Sequence, residues 1–121
     1  MIRGMKFVSI PVRNQDASLK FFTEKLGFKV GTDQPFSEKQ RWIELLIPGA
    51  ETGLVLFTPD GHENRIGDFQ PLSFWSDDVF ATAKSLKSKG VQFAAEPKKE
   101  SWGTSAIFQD PDGNKFVLSS K

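Results

Sequence analysis

The residues able to carry chemistry in this chain are few and scattered. Its one histidine, His62, lies in the polar stretch from Thr58 to Gln70 with no serine motif beside it. Nucleophilic serine chemistry therefore lacks its base, and an exposed loop position is the reading for His62. The absence of Cys excludes disulfides, thiolate metal sites and a thiol nucleophile, and fits a reducing compartment. Asp110-Pro111-Asp112-Gly113-Asn114 resembles the start of a calcium loop, but it is too short and lacks the later acidic ligands, so it reads as a turn. Gly49, Gly53, Gly61 and Gly67 are dispersed among turns and make no phosphate cradle. Glu44 stands apart because it alternates with Trp42 and Leu46 along one strand face. A carboxylate between apolar neighbours can bind a cation or, with a raised pKa, act as a general base. The competing reading is a solvated carboxylate paired with Arg41 or a lysine.

The bulk of the chain narrows the field further. With 121 residues it has the length of a single domain. The net charge is +1, and Lys and Arg are spread along the sequence. No concentrated basic patch is present to grip nucleic acid or an anionic membrane. No run approaches the length of a signal peptide core or a membrane span, so the expected location is cytoplasmic. Aromatic usage is lopsided, with 12 Phe, 3 Trp and no Tyr. Such rings supply apolar area with few polar handles, as a core or a dry binding cavity requires.

The elements that would position these residues occur twice. Phe7 to Val12 reads as a strand, with Pro11 marking an edge or an early end of pairing. Asn14 or Asp16 can cap a helix whose apolar stripe is Leu19, Phe22 and Leu26, widened by Ala17 and Phe21 and ended by Gly27. Strands follow over 28–32, 41–47 and 53–57, the last two joined through a type II turn at Pro48-Gly49. From Pro71 the order repeats: a strand at 72–75, a helix capped by Asp77 or Asp78 and closed by Gly90, and strands over 91–95, 104–108 and 115–119. Gly27 and Gly90, like Val55 and Val117, are related by nearly the same spacing, the mark of an internal repeat. The fold class is thus α+β, with two tandem βαβββ modules at about 5–57 and 71–120 and a linker at 58–70. Neither module can bury its apolar faces alone, so the two are expected to pack as one domain.

The stretch VRNQDASLKFFTEKLGFKV resembles the first-module signature of the vicinal oxygen chelate superfamily, which includes glyoxalases, extradiol dioxygenases and bleomycin-resistance proteins. SDDVFATAKSLKSKGVQF and WGTSAIFQDPDGNKFVL resemble its second module, with the frequent Asp-Pro-Asp-Gly-Asn ending. The resemblance implies sheets that curl into a half-open cleft, often completed by a second subunit. It also places the usual metal-ligand positions at Phe7, Val55, Pro71 and Val117. None of these side chains can coordinate an ion, so no metal and no cofactor is expected.

Strand alternation divides the side chains into two sets. Val8, Ile10, Val12, Leu54, Leu56, Leu72, Phe74, Phe116 and Leu118 should form the core. Phe7, Ser9, Pro11, Val55, Phe57, Pro71, Ser73, Trp75, Val117 and Ser119 should face the cleft and either line a pocket or plug it. With Trp42, Glu44, Trp102 and Phe108, this face supplies the ligand-binding set: Phe7, Ser9, Trp42, Glu44, Val55, Phe57, Ser73, Trp75, Trp102, Phe108 and Val117. Ala106 and Phe108 are placed as second-module counterparts of the Trp42–Leu46 face. Trp75 and Trp102 could stack on a flat ligand or serve a core or dimer interface.

The leading expectation is a metal-free, homodimeric binder of a hydrophobic or cationic organic molecule, similar to the bleomycin-resistance type and without a catalytic role. A glyoxalase-like lyase or isomerase, using Glu44 as base or an atypical metal site, is the second reading. A non-catalytic interaction module is the third.

Overall fold

A computed structural model describes residues 1–121. The chain divides into two compact units, Met1–Ile66 and Gly67–Lys121, each with one four-stranded mixed sheet. The α+β class and the two similar modules agree with the repeat read from the sequence.

In the first unit, strand β1 (Phe7–Pro11) leads to helix α1 (Gln15–Lys20) and then to β2 (Lys29–Pro35), β3 (Arg41–Leu46) and β4 (Gly53–Phe57). The sheet order is β1-β4-β3-β2, with β1 parallel to β4 and the other neighbours antiparallel. β1 is an edge strand, which is why Pro11 is tolerated at its end. The Asn14 side chain caps α1 by accepting from Ala17 N at 3.0 Å, and Gly27 closes the helical segment at φ 77°. The predicted apolar stripe is only partly realised. Beyond Lys20 the helix widens into a π turn over Phe21–Lys25, where the Thr23 hydroxyl donates to Leu19 O at 2.7 Å. Phe21 and Phe22 are buried, Leu19 and Leu26 are half-buried, and Ala17 is exposed. Gln15 and Ser18 take the buried positions preceding Phe22. The core of this unit contains Ile10, Val12, Phe22, Ile43, Leu45, Leu54 and Leu56.

The second unit repeats the order with β5 (Phe69–Ser76), helix α2 (Val79–Ser88), β6 (Gln92–Glu100), β7 (Gly103–Gln109) and β8 (Lys115–Ser120). Its sheet order, β5-β8-β7-β6, matches that of the first. Asp78 is the helix cap, accepting from Ala81 N at 3.0 Å, and Gly90 follows the helix at φ 88°. Phe74, Phe93, Phe108 and Phe116 form an aromatic cluster with centroids 5.5–6.1 Å apart. Strand β5 begins at Phe69, so Phe69 and Gln70 belong to the sheet although the sequence places them in the linker.

A buried polar chain explains that early start. Asn114 Oδ1 accepts from Gly67 N at 2.7 Å and from Gln70 Nε2 at 3.0 Å, while Asn114 Nδ2 donates to Asp110 Oδ2 at 2.8 Å. Asp110 Oδ1 also accepts from the backbone N–H groups of Asp112 and Asn114. Every bond runs donor to acceptor toward the carboxylate. The turn thus anchors the start of β5 to the β7–β8 hairpin.

Candidate functional site

The first unit carries the better-formed site, on the sheet face opposite the core. Cross-strand pairing sets Ser9 against Val55, Val55 against Glu44 and Glu44 against Thr32, so these four form one row across the sheet. Beside this row the Phe7 and Trp42 rings meet edge to face at 5.6 Å, and Phe36 lies 5.9 Å from Trp42. A cavity of about 340 Å³ is lined by Phe7, Ser9, Phe36, Trp42, Val55 and Phe57 together with Gln40, Arg41 and Leu56. The sequence-derived residues Phe7, Ser9, Trp42, Val55 and Phe57 are therefore brought together. Phe36 and Gln40 complete the cavity from the β2–β3 turn. Strand alternation could not find them, because a turn has no such periodicity.

The cavity exists where β3 and β4 part. Their ladder pairs Leu45 with Leu54, Glu44 with Val55 and Ile43 with Leu56, the last pair at this end. There the buried Gln15 side chain enters from α1. Its Nε2 donates to Arg41 O at 2.7 Å and Leu56 O at 3.0 Å, and its Oε1 accepts from Arg41 N at 2.9 Å. One residue on, Gln40 Oε1 accepts from Thr58 N at 2.7 Å. Two side-chain amides thus take over backbone partners that a continued ladder would supply.

Glu44 sits in the central row, and its half-buried side chain forms no hydrogen bond or ion pair within the chain. Arg41, offered by the sequence as its partner, is instead committed to Asp33 through two bonds of 2.9 and 3.2 Å and to Asp16 at 2.6 Å. These acidic partners hold the Arg41 guanidinium more firmly in its charged form than usual. Gly53 makes room for the Glu44 side chain: a Cβ there would lie 3.3 Å from Glu44 Oε2 and 3.1 Å from Leu45 O.

In the second unit the same face presents Ser73, paired with Val117, and Trp75, paired with Ser119. Ser73 Oγ and Ser119 Oγ are 2.9 Å apart, and Lys121 Nζ lies 4.7 Å over the Trp75 ring. Trp75 remains 55% exposed, so this half is an open surface in place of an aromatic cavity. Two assignments need correction. Phe108 pairs with Phe116, is 2% exposed and packs in the core cluster, together with Ala106. The pairing of Ile107 with Val117 makes Ile107, not its neighbours, the counterpart of Glu44; the expected register is one residue off, and a shift of one residue exchanges the two faces of a strand. Trp102 occupies the two-residue turn between β6 and β7, 70% exposed, apart from the sheet face.

The side chains at the expected ligand positions do not suit a divalent ion. Around Val55 the donors are one hydroxyl and one carboxylate; around Val117 they are the hydroxyls of Ser73 and Ser119, beside the apolar Ile107. No group of three or more His, Cys, Asp or Glu side chains is placed to hold a metal.

The model of the glyoxalase/bleomycin resistance protein/dioxygenase superfamily matches residues 4–118. The chain belongs to this superfamily. It is 35% identical to the uncharacterised protein YetH of Bacillus subtilis over 98% of both chains. Among solved structures, a superfamily member from Sphaerobacter thermophilus superposes with a TM-score of 0.89 at 29% identity, over 99% of this chain and 98% of that one. TnmS3, an antibiotic-binding protein from Streptomyces sp. CB03234, superposes with a TM-score of 0.85 at 34% identity, over 98% and 96%. The superfamily membership matches the resemblance carried by the two module signatures.

Proposed function

We propose that this superfamily member is a metal-free binding protein that holds a small organic molecule, of the hydrophobic or cationic antibiotic type, in the aromatic cavity of its first module. The observation that carries the reading is the cavity of about 340 Å³, where Phe7, Phe36, Trp42 and Phe57 occupy the face that in metal-using relatives presents ligands. That volume lies within the usual range for small-molecule sites of roughly 300–1,000 Å³. Contact area from the rings supplies affinity, and Ser9 offers a hydrogen bond. Glu44, with no partner in the chain, offers a counter-charge for a ligand amine on the same face. The likeness to an antibiotic-binding protein supports the ligand class.

A homodimer in the cytoplasm completes the reading. The second-module face leaves Phe69, Pro71 and Trp75 exposed, a surface that a second copy would cover. The chain has no Cys, which suits a reducing compartment.

Titration calorimetry of the purified protein against planar aromatic compounds with and without a protonated amine tests the proposal. Binding at one site per chain, lost in Trp42→Ala, is expected. Absence of heat across the whole set would refute it, and stoichiometric metal by elemental analysis would refute its metal-free part.

A further inference from the structure

The parting of β3 and β4 produces a second cavity beside the aromatic one, and the two share Gln40 and Arg41 as common lining residues. This second space, about 390 Å³, lies entirely in the first unit and is lined by polar groups of the β2–β3 turn, the start of α1 and Thr58. Its charges balance: Arg41 is held by both Asp33 and Asp16, one cation against two carboxylates, and Arg13 in the same lining supplies the second positive charge. Glu38 and Lys39 are adjacent and of opposite sign, so this pair adds no net charge. What remains unused is neutral: Gln40 spends Oε1 on Thr58 N and keeps its Nε2 protons free, while the hydroxyls of Ser37 and Thr58 have no partner in the chain. Such an array suits a hydroxylated arm better than an ionised group.

We infer that the ligand is bipartite, with a flat aromatic body in the Phe7–Trp42 cavity and an uncharged, hydroxyl-rich arm, such as a sugar ring, in the polar cavity across Gln40. This rests on the binding role proposed above and adds the ligand's second half. The groups that keep β3 and β4 apart thereby set specificity: Gln15 props the strands open from the helix side, and Gln40 reads the arm.

Fluorescence titration with 4-methylumbelliferone and its β-glucoside separates the two claims. The glucoside should bind about tenfold more tightly than the free coumarin, the gain from one or two hydrogen bonds. Thr58→Val removes one hydroxyl but keeps the backbone N–H, and Ser37→Ala removes the other; both residues line the polar cavity and not the aromatic one. Either change should cut the advantage of the glucoside below threefold while leaving coumarin affinity within twofold. Equal binding of the two probes, or an advantage that survives both substitutions, overturns the bipartite ligand and leaves the aromatic site standing. If neither probe binds, the aromatic site and the bipartite ligand both fall.

Discussion

Asn114→Ala should be among the most destabilising single changes in the second module. The Asn114 side chain is fully buried and hydrogen-bonds to Gly67 N, Gln70 Nε2 and Asp110 Oδ2. Truncation leaves these groups without that partner; Gln70 Nε2 retains a 3.2 Å bond to Asp68 O, so the main losses are at Gly67 and Asp110. Each buried polar group left unpaired costs roughly 1–3 kcal/mol. Allowing two such groups and the small cavity, the loss is ~3–5 kcal/mol, a large part of the 5–15 kcal/mol typical of a domain.

The same variant has a signature in pH. Burial pushes the Asp110 carboxyl up to about 6 from its ordinary 3.8, outweighing the hydrogen bonds from Asn114 and Asp112 that favour the charged form. A carboxyl with a raised folded pKa takes up a proton on folding. Its contribution to stability is therefore fully present below pH 3.8 and is lost as pH rises through about 6. The full span of that loss is ~3 kcal/mol. Removing the Asn114 donor raises the folded pKa further, so the variant should keep losing stability above pH 6. Urea unfolding followed by circular dichroism between pH 4 and 8 reads both effects. A loss below ~1 kcal/mol at pH 7, or a pH profile parallel to the parent's, would refute the account of this network.

Gln15→Leu deprives Arg41 N, Arg41 O and Leu56 O of their side-chain partner and should cost ~2–4 kcal/mol in urea unfolding, with a shift in Trp42 emission read in a Trp75→Phe/Trp102→Phe background. Ser18→Ala should act in the opposite sense, because Ser18 Oγ is buried without a hydrogen-bond partner; a gain of ~1 kcal/mol, seen as a rise in Tm of about 4 °C, is expected by calorimetry. Asp33→Asn breaks the bidentate Arg41 pair, but both groups are about one-third exposed, so the loss should stay below ~1 kcal/mol and shrink further in high salt.

What the sequence determined on its own is the part governed by local rules. Asn14, Gly27, Asp78 and Gly90 delimit the helices because capping and left-handed backbone are properties of single residues. Alternation along β1 and β4 placed Phe7, Ser9, Val55 and Phe57 on one face, since in a regular strand that face follows from residue parity alone. Parity fails as soon as register is uncertain, and Phe108 went to the wrong side for that reason.

Three features depended on tertiary structure. Gln15 appears as an ordinary first-turn residue, and only the approach of α1 to β3 and β4 makes it the amide that separates them. Phe36 and Gln40 lie in a turn without periodicity and join the cavity because the hairpin folds back on Trp42 and Thr58. The Asp-Pro-Asp-Gly-Asn segment is legible as a turn, yet its burial against Gly67 and Gln70 turns it into the anchor of a distant strand. Turn chemistry is written in five consecutive residues. The Asn114 side chain that bonds the buried Asp110 carboxylate is itself held by Gly67 and Gln70, 47 and 44 residues away in sequence, groups that only the folded chain brings together.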